Sequence, residues 1–306
     1  MKRDLLSIND LTEKDIALIL QKTKILKKMR KSNRKLNQLQ DKTLALIFFK
    51  PSTRTRISFE VAMYELGGNV TYLSGDEIQI SRGEPCADTA KVLSRYVHGI
   101  VIRTFSHSEV LELAQNSTIP VINGLTDLEH PCQILADLFT IYERHKKLDG
   151  LKIAFIGDGN NVANSWLLAA PKVNANFVLA CPRGYEPDSG IVSSAIKEAK
   201  RKGVHIEVIN DPKLAAKSAD VIYTDVWISM GQEKDAKAKK SQFNRFQVNK
   251  NLLALAKPEC MIMHCLPAHR GEEITADVID GKNSVVWEQA ENRLHVEKTI
   301  LSLLLK

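Results

Sequence analysis

Short apolar runs alternate with longer amphipathic stretches along nearly the whole chain, and this limits the fold more than any other feature. Runs at 44–49, 69–73, 99–103, 120–123, 151–156, 177–181, 208–209, 221–225 and 261–265 have the length and composition of strands. Helical stretches stand at 12–31, after 52 to 66, and at 88–96, 109–115 and 134–145. Strands separated by helices pair in parallel, because a parallel neighbour is reached only by a crossover long enough to hold a helix. The 306 residues, 44% of them hydrophobic, suffice for two cores. The turn Asp149-Gly150 puts the boundary nearby. The expected fold class is therefore α/β, with two domains, each a mostly parallel sheet flanked by helices. The first spans 1–148 and the second 149–289, with a C-terminal helix of about 290–306 packing back on the first.

Composition narrows the function classes. No run of 18 apolar residues exists, so no membrane span is expected. The N-terminus lacks a signal-peptide apolar region and carries acids. Five scattered cysteines fit free thiols in a reducing cytoplasm. Net charge is 43 − 36 = +7, with eight basic residues and no acid between 22 and 35. Ile16, Ile19, Leu20 and Leu26 give that segment a buried stripe, and Thr12-x-x-Asp15 has the form of a capping box. A solvated helix face is the expectation there, not a nucleic-acid patch, since stacking aromatics are absent. The lysine-rich run 234–240 is expected to be solvated too.

Chemistry gathers where strands end. After 44–49, Lys50-Pro51 stops the strand and Ser52-Thr53-Arg54-Thr55-Arg56 opens a helix. Helix starts expose unpaired N–H groups and partial positive charge. Three hydroxyls and two arginines added there make a phosphate cradle, beyond the single hydroxyl a cap needs. Arg103 ends the strand at 99–103, where α/β sheets bind ligands. His130-Pro131 and Gln133 start another helix, a placement suited to polarising a carbonyl. Asp225 ends a strand and suits a cationic amine. Gly157-Asp-Gly-Asn-Asn-Val162 invites a dinucleotide reading, but Val162 stands where the third glycine belongs and no acid ends the next strand. Cys265 lies between His264 and Leu266, yet no Cys-x-x-Cys or paired histidine accompanies it, so no metal is expected.

The stretch Lys50-Pro-Ser-Thr-Arg-Thr-Arg56 resembles the carbamoyl-phosphate signature of the aspartate and ornithine carbamoyltransferases. His130-Pro-Cys-Gln133 is similar to the family's His-Pro-x-Gln. Asp225-Val-Trp-Ile-Ser-Met-Gly231 and His264-Cys-Leu-Pro267 resemble the ornithine-using members, and Glu291-Asn-Arg-Leu-His295 extends the match to the C-terminus. Ser81 stands where the family often has glycine. The resemblance implies carbamoyl transfer to the δ-amine of L-ornithine, giving citrulline and phosphate in arginine biosynthesis. It implies that Ser52, Thr53, Arg54, Thr55, Arg103, His130 and Gln133 bind carbamoyl phosphate, and that Gln79 reaches into a neighbouring subunit's site within a homotrimer. Asn161, Asp225, Ser229 and Met230 would hold ornithine, and Cys265, Leu266 and Arg293 would line the reaction centre. It implies no cofactor. Putrescine is the rival acceptor, though its enzymes depart from the Ser-Met-Gly loop.

Overall fold

The computed structural model describes residues 4–32, 36–228 and 236–305, without the side chains of 236–238. Two compact units divide the chain: Met1–Phe139 with Glu291–Lys306, and Thr140–Ala290.

In the first unit, α1 (Glu13–Lys31) starts on the capping box. Thr12 Oγ1 accepts from Asp15 N–H at 3.2 Å, and Asp15 Oδ2 accepts from Thr12 N–H at 2.9 Å. Ile16, Ile19, Leu20 and Leu26 are buried. Part of the basic face is paired within the unit, although Arg30 stays exposed. Lys27 is buried and donates to Asn292 Oδ1 at 2.7 Å, and Arg30 meets Glu65 at 2.6 Å. Strands β1 (Thr43–Phe48), β2 (Asn69–Ser74), β3 (Gly99–Arg103) and β4 (Val121–Leu125) form one sheet ordered β2-β1-β3-β4, with every pair parallel. Helices α2 (Thr53–Glu65), α3 (Cys86–Tyr96), α4 (His107–Asn116) and the start of α5 (Pro131–His145) connect and follow these strands. The polar stretch 75–85, a loop by sequence, contains two short 3-10 turns, Gly75–Glu77 and Gln79–Arg82.

In the second unit β5 (Lys152–Ile156), β6 (Asn176–Ala180), β7 (Ile206–Ile209), β8 (Val221–Thr224) and β9 (Met261–His264) form a parallel sheet ordered β7-β6-β5-β8-β9. Between them run α6 (Asn161–Ala169), α7 (Ser189–Lys202), α8 (Pro212–Ala216), α9 (Ala236–Phe243) and α10 (Lys250–Leu253), with α11 (Ala276–Ile279) and α12 (Val286–Leu304) after β9. Strands β5, β8 and β9 are buried nearly throughout, which is why they appear in the sequence as unbroken apolar runs. Edge strand β7 is exposed at Glu207 and extends two residues beyond the 208–209 run that apolar character alone marks. Among the described residues no helix is long and apolar enough to cross a membrane.

The part of α12 in the first unit carries His295, which is 1% exposed and 3.0 Å from Glu291. Burial, aided by Lys298 and Lys27 and opposed by Glu291, pushes its imidazole down to about 4. A histidine depressed on folding binds fewer protons in the native than in the unfolded chain between pH ~4 and ~6.5. Stability is therefore expected to fall by up to about 3 kcal/mol as pH drops through that window. Urea midpoints at pH 7 and pH 5 measure it, and equal midpoints would contradict the assignment.

Candidate active site

The first sheet reverses its order between β1 and β3, since β2 lies on one side of β1 and β3 on the other. A crevice at the carboxyl ends of strands opens at such a point. From β1 the chain passes Lys50-Pro51 to Ser52, the N-cap of α2, whose side chain accepts from Thr55 N–H at 3.2 Å. No acid occupies the first turn of α2, so its positive end is not neutralised there. Thr55 is 1% exposed. Its Oγ1 accepts from Arg293 Nη2 at 3.2 Å and lies 3.5 Å from Arg103 Nη1. Two guanidiniums on the lone pairs leave the Thr55 hydroxyl proton to donate elsewhere.

Arg103 owes its direction to an irregularity beside it. Ile102 pairs with Asn123 but Arg103 pairs with Leu125, so Gly124 is an extra residue in β4. A Cβ on Gly124 would stand 3.1 Å from Ile102 O, so any larger residue would push the neighbouring strand by a few tenths of an ångström. Arg293, also buried, donates Nη1 to Gln133 Oε1 at 2.7 Å and is clamped by Glu297 Oε1 at 2.6 and 2.9 Å. Burial opposes the Arg293 charge, and Glu297 foremost keeps it. Gln133 Nε2 donates to Asp137 at 2.8 Å, which leaves its oxygen to face Arg293. His130, 5% exposed, is held far below the usual imidazole range by burial first and then by Arg293, Arg103 and Arg54. It is a neutral ring in a cationic neighbourhood.

Thr55, Arg103, Gln133 and Arg293 thus form one hydrogen-bonded cluster, with Ser52 capping the helix that carries Thr55. Half-buried Arg54 and exposed Thr53 belong to the same first turn. Arg293, implied to line the reaction centre with Cys265 and Leu266, is bonded to Thr55 and Gln133 of the first unit. Arg56 is not part of the cradle, contrary to the two-arginine reading. It pairs with Glu60 at 2.9 Å and stacks 3.7 Å over the Tyr72 ring. Gln79 is exposed at the head of its turn, with no side-chain hydrogen bond among the described residues. Sequence reasoning gave Lys50 only the role of stopping a strand. It is 5% exposed, ion-paired with Asp127, and 4.0 Å over the Phe105 ring.

The second sheet reverses order between β5 and β8. Asp225, just past β8, is 6% exposed and ties three strand ends together. Its Oδ2 accepts from Asn160 Nδ2 at 2.7 Å, and its Oδ1 from Val226 N–H at 2.8 Å and Cys265 Sγ at 3.0 Å. Of the two adjacent asparagines it is Asn160, not in the implied site set, that meets Asp225; Asn161 is half-buried at the start of α6. Cys265 and Leu266 are half-buried, and Leu266 takes φ +61°, a left-handed value rare outside glycine. The implied Ser229 and Met230 lie outside the described residues.

The glycine pair after β5 has its own explanation. A Cβ on Gly159 would fall 2.4 Å from Pro187 N and 2.6 Å from Tyr185 O, and Gly159 N–H donates to Tyr185 O at 3.0 Å. The Asn160 side chain takes the N–H groups of Val162 and Ala163 at 3.0 and 3.2 Å. The donors that a pyrophosphate would use are therefore engaged, and Gly159 serves close chain approach. Two members of the lysine run at 234–240, Lys239 and Lys240, also depart from its solvated reading. Lys239 is 7% exposed, pairs with Asp158 at 2.8 Å and lies 5.1 Å from the Tyr185 ring centre, while Lys240 meets Glu272 at 2.5 Å. Among the described residues two groups have metal-ligand spacing, Asp225 with His264 and Cys265, and His269 with Glu272 and Glu273. In the first, both His264 ring nitrogens are already in hydrogen bonds.

Two family models cover almost all of the chain: the carbamoyl-P binding domain of aspartate/ornithine carbamoyltransferase over residues 3–143, and its Asp/Orn binding domain over 149–304. The chain belongs to the aspartate/ornithine carbamoyltransferase family. Within that family it is 54% identical to the ornithine carbamoyltransferase of Pyrococcus abyssi over 99% of this chain and 96% of that one. A solved ornithine carbamoyltransferase of Pyrococcus furiosus superposes with a TM-score of 0.96 at 53% identity, covering 99% of this chain and 97% of the other. The anabolic ornithine carbamoyltransferase of Campylobacter jejuni matches with a TM-score of 0.93 at 40% identity and 99% coverage of both.

Proposed function

We propose that this chain transfers the carbamoyl group of carbamoyl phosphate to the δ-amine of L-ornithine, giving L-citrulline and phosphate in arginine biosynthesis. The observation that carries it is the cationic cluster at the first switch point, where Arg103 and Arg293 converge on the Thr55 hydroxyl behind a capped helix start. The first unit is the carbamoyl-phosphate domain and the second the ornithine domain. Ser52, Thr53, Arg54, Thr55 and Arg103 bind the phosphate, and His130, Gln133 and Arg293 face the carbamoyl end. Asn161, Asp225, Ser229 and Met230 hold ornithine, with Cys265 and Leu266 beside the reacting amine.

An amine attacks only when neutral, and a lysine-like amine has a solution pKa of about 10.4. Burial near guanidiniums favours the neutral form. As the C–N bond forms, negative charge builds on the carbamoyl oxygen. A neutral His130 stabilises it by donating a hydrogen bond while keeping its proton, and the arginine N–H groups add fixed positive charge. The C–O bond to phosphate then breaks, the departing phosphate takes the proton that the attacking nitrogen sheds, and the hydroxyls and guanidiniums of the cradle hold the resulting anion. Asp225 is suited to an ammonium group of the acceptor.

The working form is a cytoplasmic homotrimer in which exposed Gln79 serves a neighbouring subunit's site. Nucleic acid and membrane play no part in its action. Free thiols at all five cysteines fit a reducing compartment. Sedimentation should give three times the 34.3 kDa chain mass. The deciding assay supplies carbamoyl phosphate with ornithine or with putrescine. Citrulline formation should exceed carbamoyl-putrescine formation by at least about 100-fold in kcat/KM, the discrimination expected when a site's polar groups are left unpaired by the lesser substrate. Equal rates would overturn the acceptor assignment.

A further inference from the structure

At the end of β9, a buried histidine shapes the backbone beside it. His264 and Glu273 are both 0% exposed. Leu266 N–H donates to His264 Nδ1 at 2.9 Å, and His264 Nε2 lies 3.1 Å from Glu273 Oε1. A backbone amide can only donate, so Nδ1 carries no proton. The neutral ring then bears its proton on Nε2 and gives it to Glu273. Glu273 Oε1 also accepts from His269 N–H at 2.5 Å. The strand end itself is pinned from another side, where His264 N–H donates to Gln289 Oε1 at 2.9 Å.

The contact from residue 264 to the amide of 266 closes a small ring around Cys265, much as an aspartate or asparagine does in an Asx turn. Directly after it, Leu266 takes φ +61°, a conformation that a non-glycine residue keeps only when its surroundings enforce it. The same ring sets the direction from which Cys265 Sγ reaches Asp225 Oδ1 at 3.0 Å.

We propose that His264 and Glu273 are positioning residues for the amino-acid acceptor: Glu273 fixes the proton of His264 on Nε2, and the bare Nδ1 holds Leu266 N–H and thereby the geometry of Cys265 and Leu266. This rests on the reading that Cys265 and Leu266 meet the acceptor. Neither residue touches substrate, and the chemistry passes through the backbone they hold.

The two ring nitrogens have separable mimics. An asparagine at 264 places an amide oxygen near the Nδ1 position, whereas a glutamine places its amide nitrogen near Nε2. Both are compared in a Glu273→Gln background, which removes the buried charge that either change would otherwise strand. His264→Asn is expected to keep the ornithine KM within about threefold of Glu273→Gln alone. His264→Gln should raise it about tenfold or more, the effect of one lost hydrogen bond of about 1.4 kcal/mol. The KM for carbamoyl phosphate should stay level in all three. Equal ornithine KM values for the two His264 variants, a parallel rise in both substrates' KM, or an unfolded His264→Asn beside a folded His264→Gln would each overturn the proposal. Ring nitrogen NMR of the wild-type protein gives a readout that needs no variant. It should find His264 protonated on Nε2 and bare on Nδ1, and the opposite tautomer would end the proposal. If wild type itself makes no citrulline, the functional reading fails; if it does and the variants do not separate, only the positioning role fails.

Discussion

Arg54→Ala is expected to lower kcat/KM for carbamoyl phosphate about 1,000-fold while leaving the fold in place. Arg54 sits in the first turn of α2, half-buried, next to the Ser52 cap and one residue from Thr55. It is one of three guanidiniums, with Arg293 and Arg103, whose charge reaches His130. On the proposed reading, removing it takes a positive charge from the phosphate cradle where the leaving anion develops, and one lost preorganised donor typically costs 10²–10³ in rate. The structural cost is small, because alanine is the best helix former and the remaining caps and strands are untouched. Citrulline production measured beside a thermal melt separates the two effects. Activity within threefold of wild type, with an unchanged melt, would remove Arg54 from the mechanism.

Asp225→Asn should raise the ornithine KM by roughly 10- to 100-fold and move the carbamoyl-phosphate KM little. The carboxylate already accepts from Asn160, Val226 and Cys265, so its negative charge is oriented by three donors. A hydrogen bond to a charged partner contributes about 1.5–3 kcal/mol, which is the size of the expected loss. The amide also turns a hydrogen-bond donor towards one of those three donors, so strand ends β5 and β9 lose a common anchor. Isothermal titration with each substrate tests the split. Equal losses for both ligands would show that Asp225 supports the fold generally and does not select the amine.

Much of the architecture was legible because buried parallel strands leave an unmistakable trace. Strands β1, β3, β5, β8 and β9 are apolar on both faces, so each shows as a short unbroken run. The strand-to-helix turn after Lys50-Pro51 was legible too, since proline stops a strand and a serine beyond it caps a helix. What did not show was which cation serves which partner. Lys239 lies in a lysine-rich run with the composition of a solvated face, yet its ammonium is buried on Asp158, 81 positions earlier. Lys50 looked like punctuation and proves to be ion-paired beneath Phe105. Arg56 matched the signature as well as Arg54 did, but helical spacing turned it onto Glu60 and Tyr72.

Local chemistry, written in consecutive residues, determined the strand ends, the capped helix start and the family signatures. Any residue whose role depends on a distant partner was decided only when the chain folded. Thr55 joins Arg293 across 238 positions and Gln133 joins it across 160, and His264 finds Glu273 only because the chain returns after β9. The physical reason is that hydrogen bonds and charge pairing act over a few ångströms. Periodicity reports which side of an element is buried, but not what lies against it.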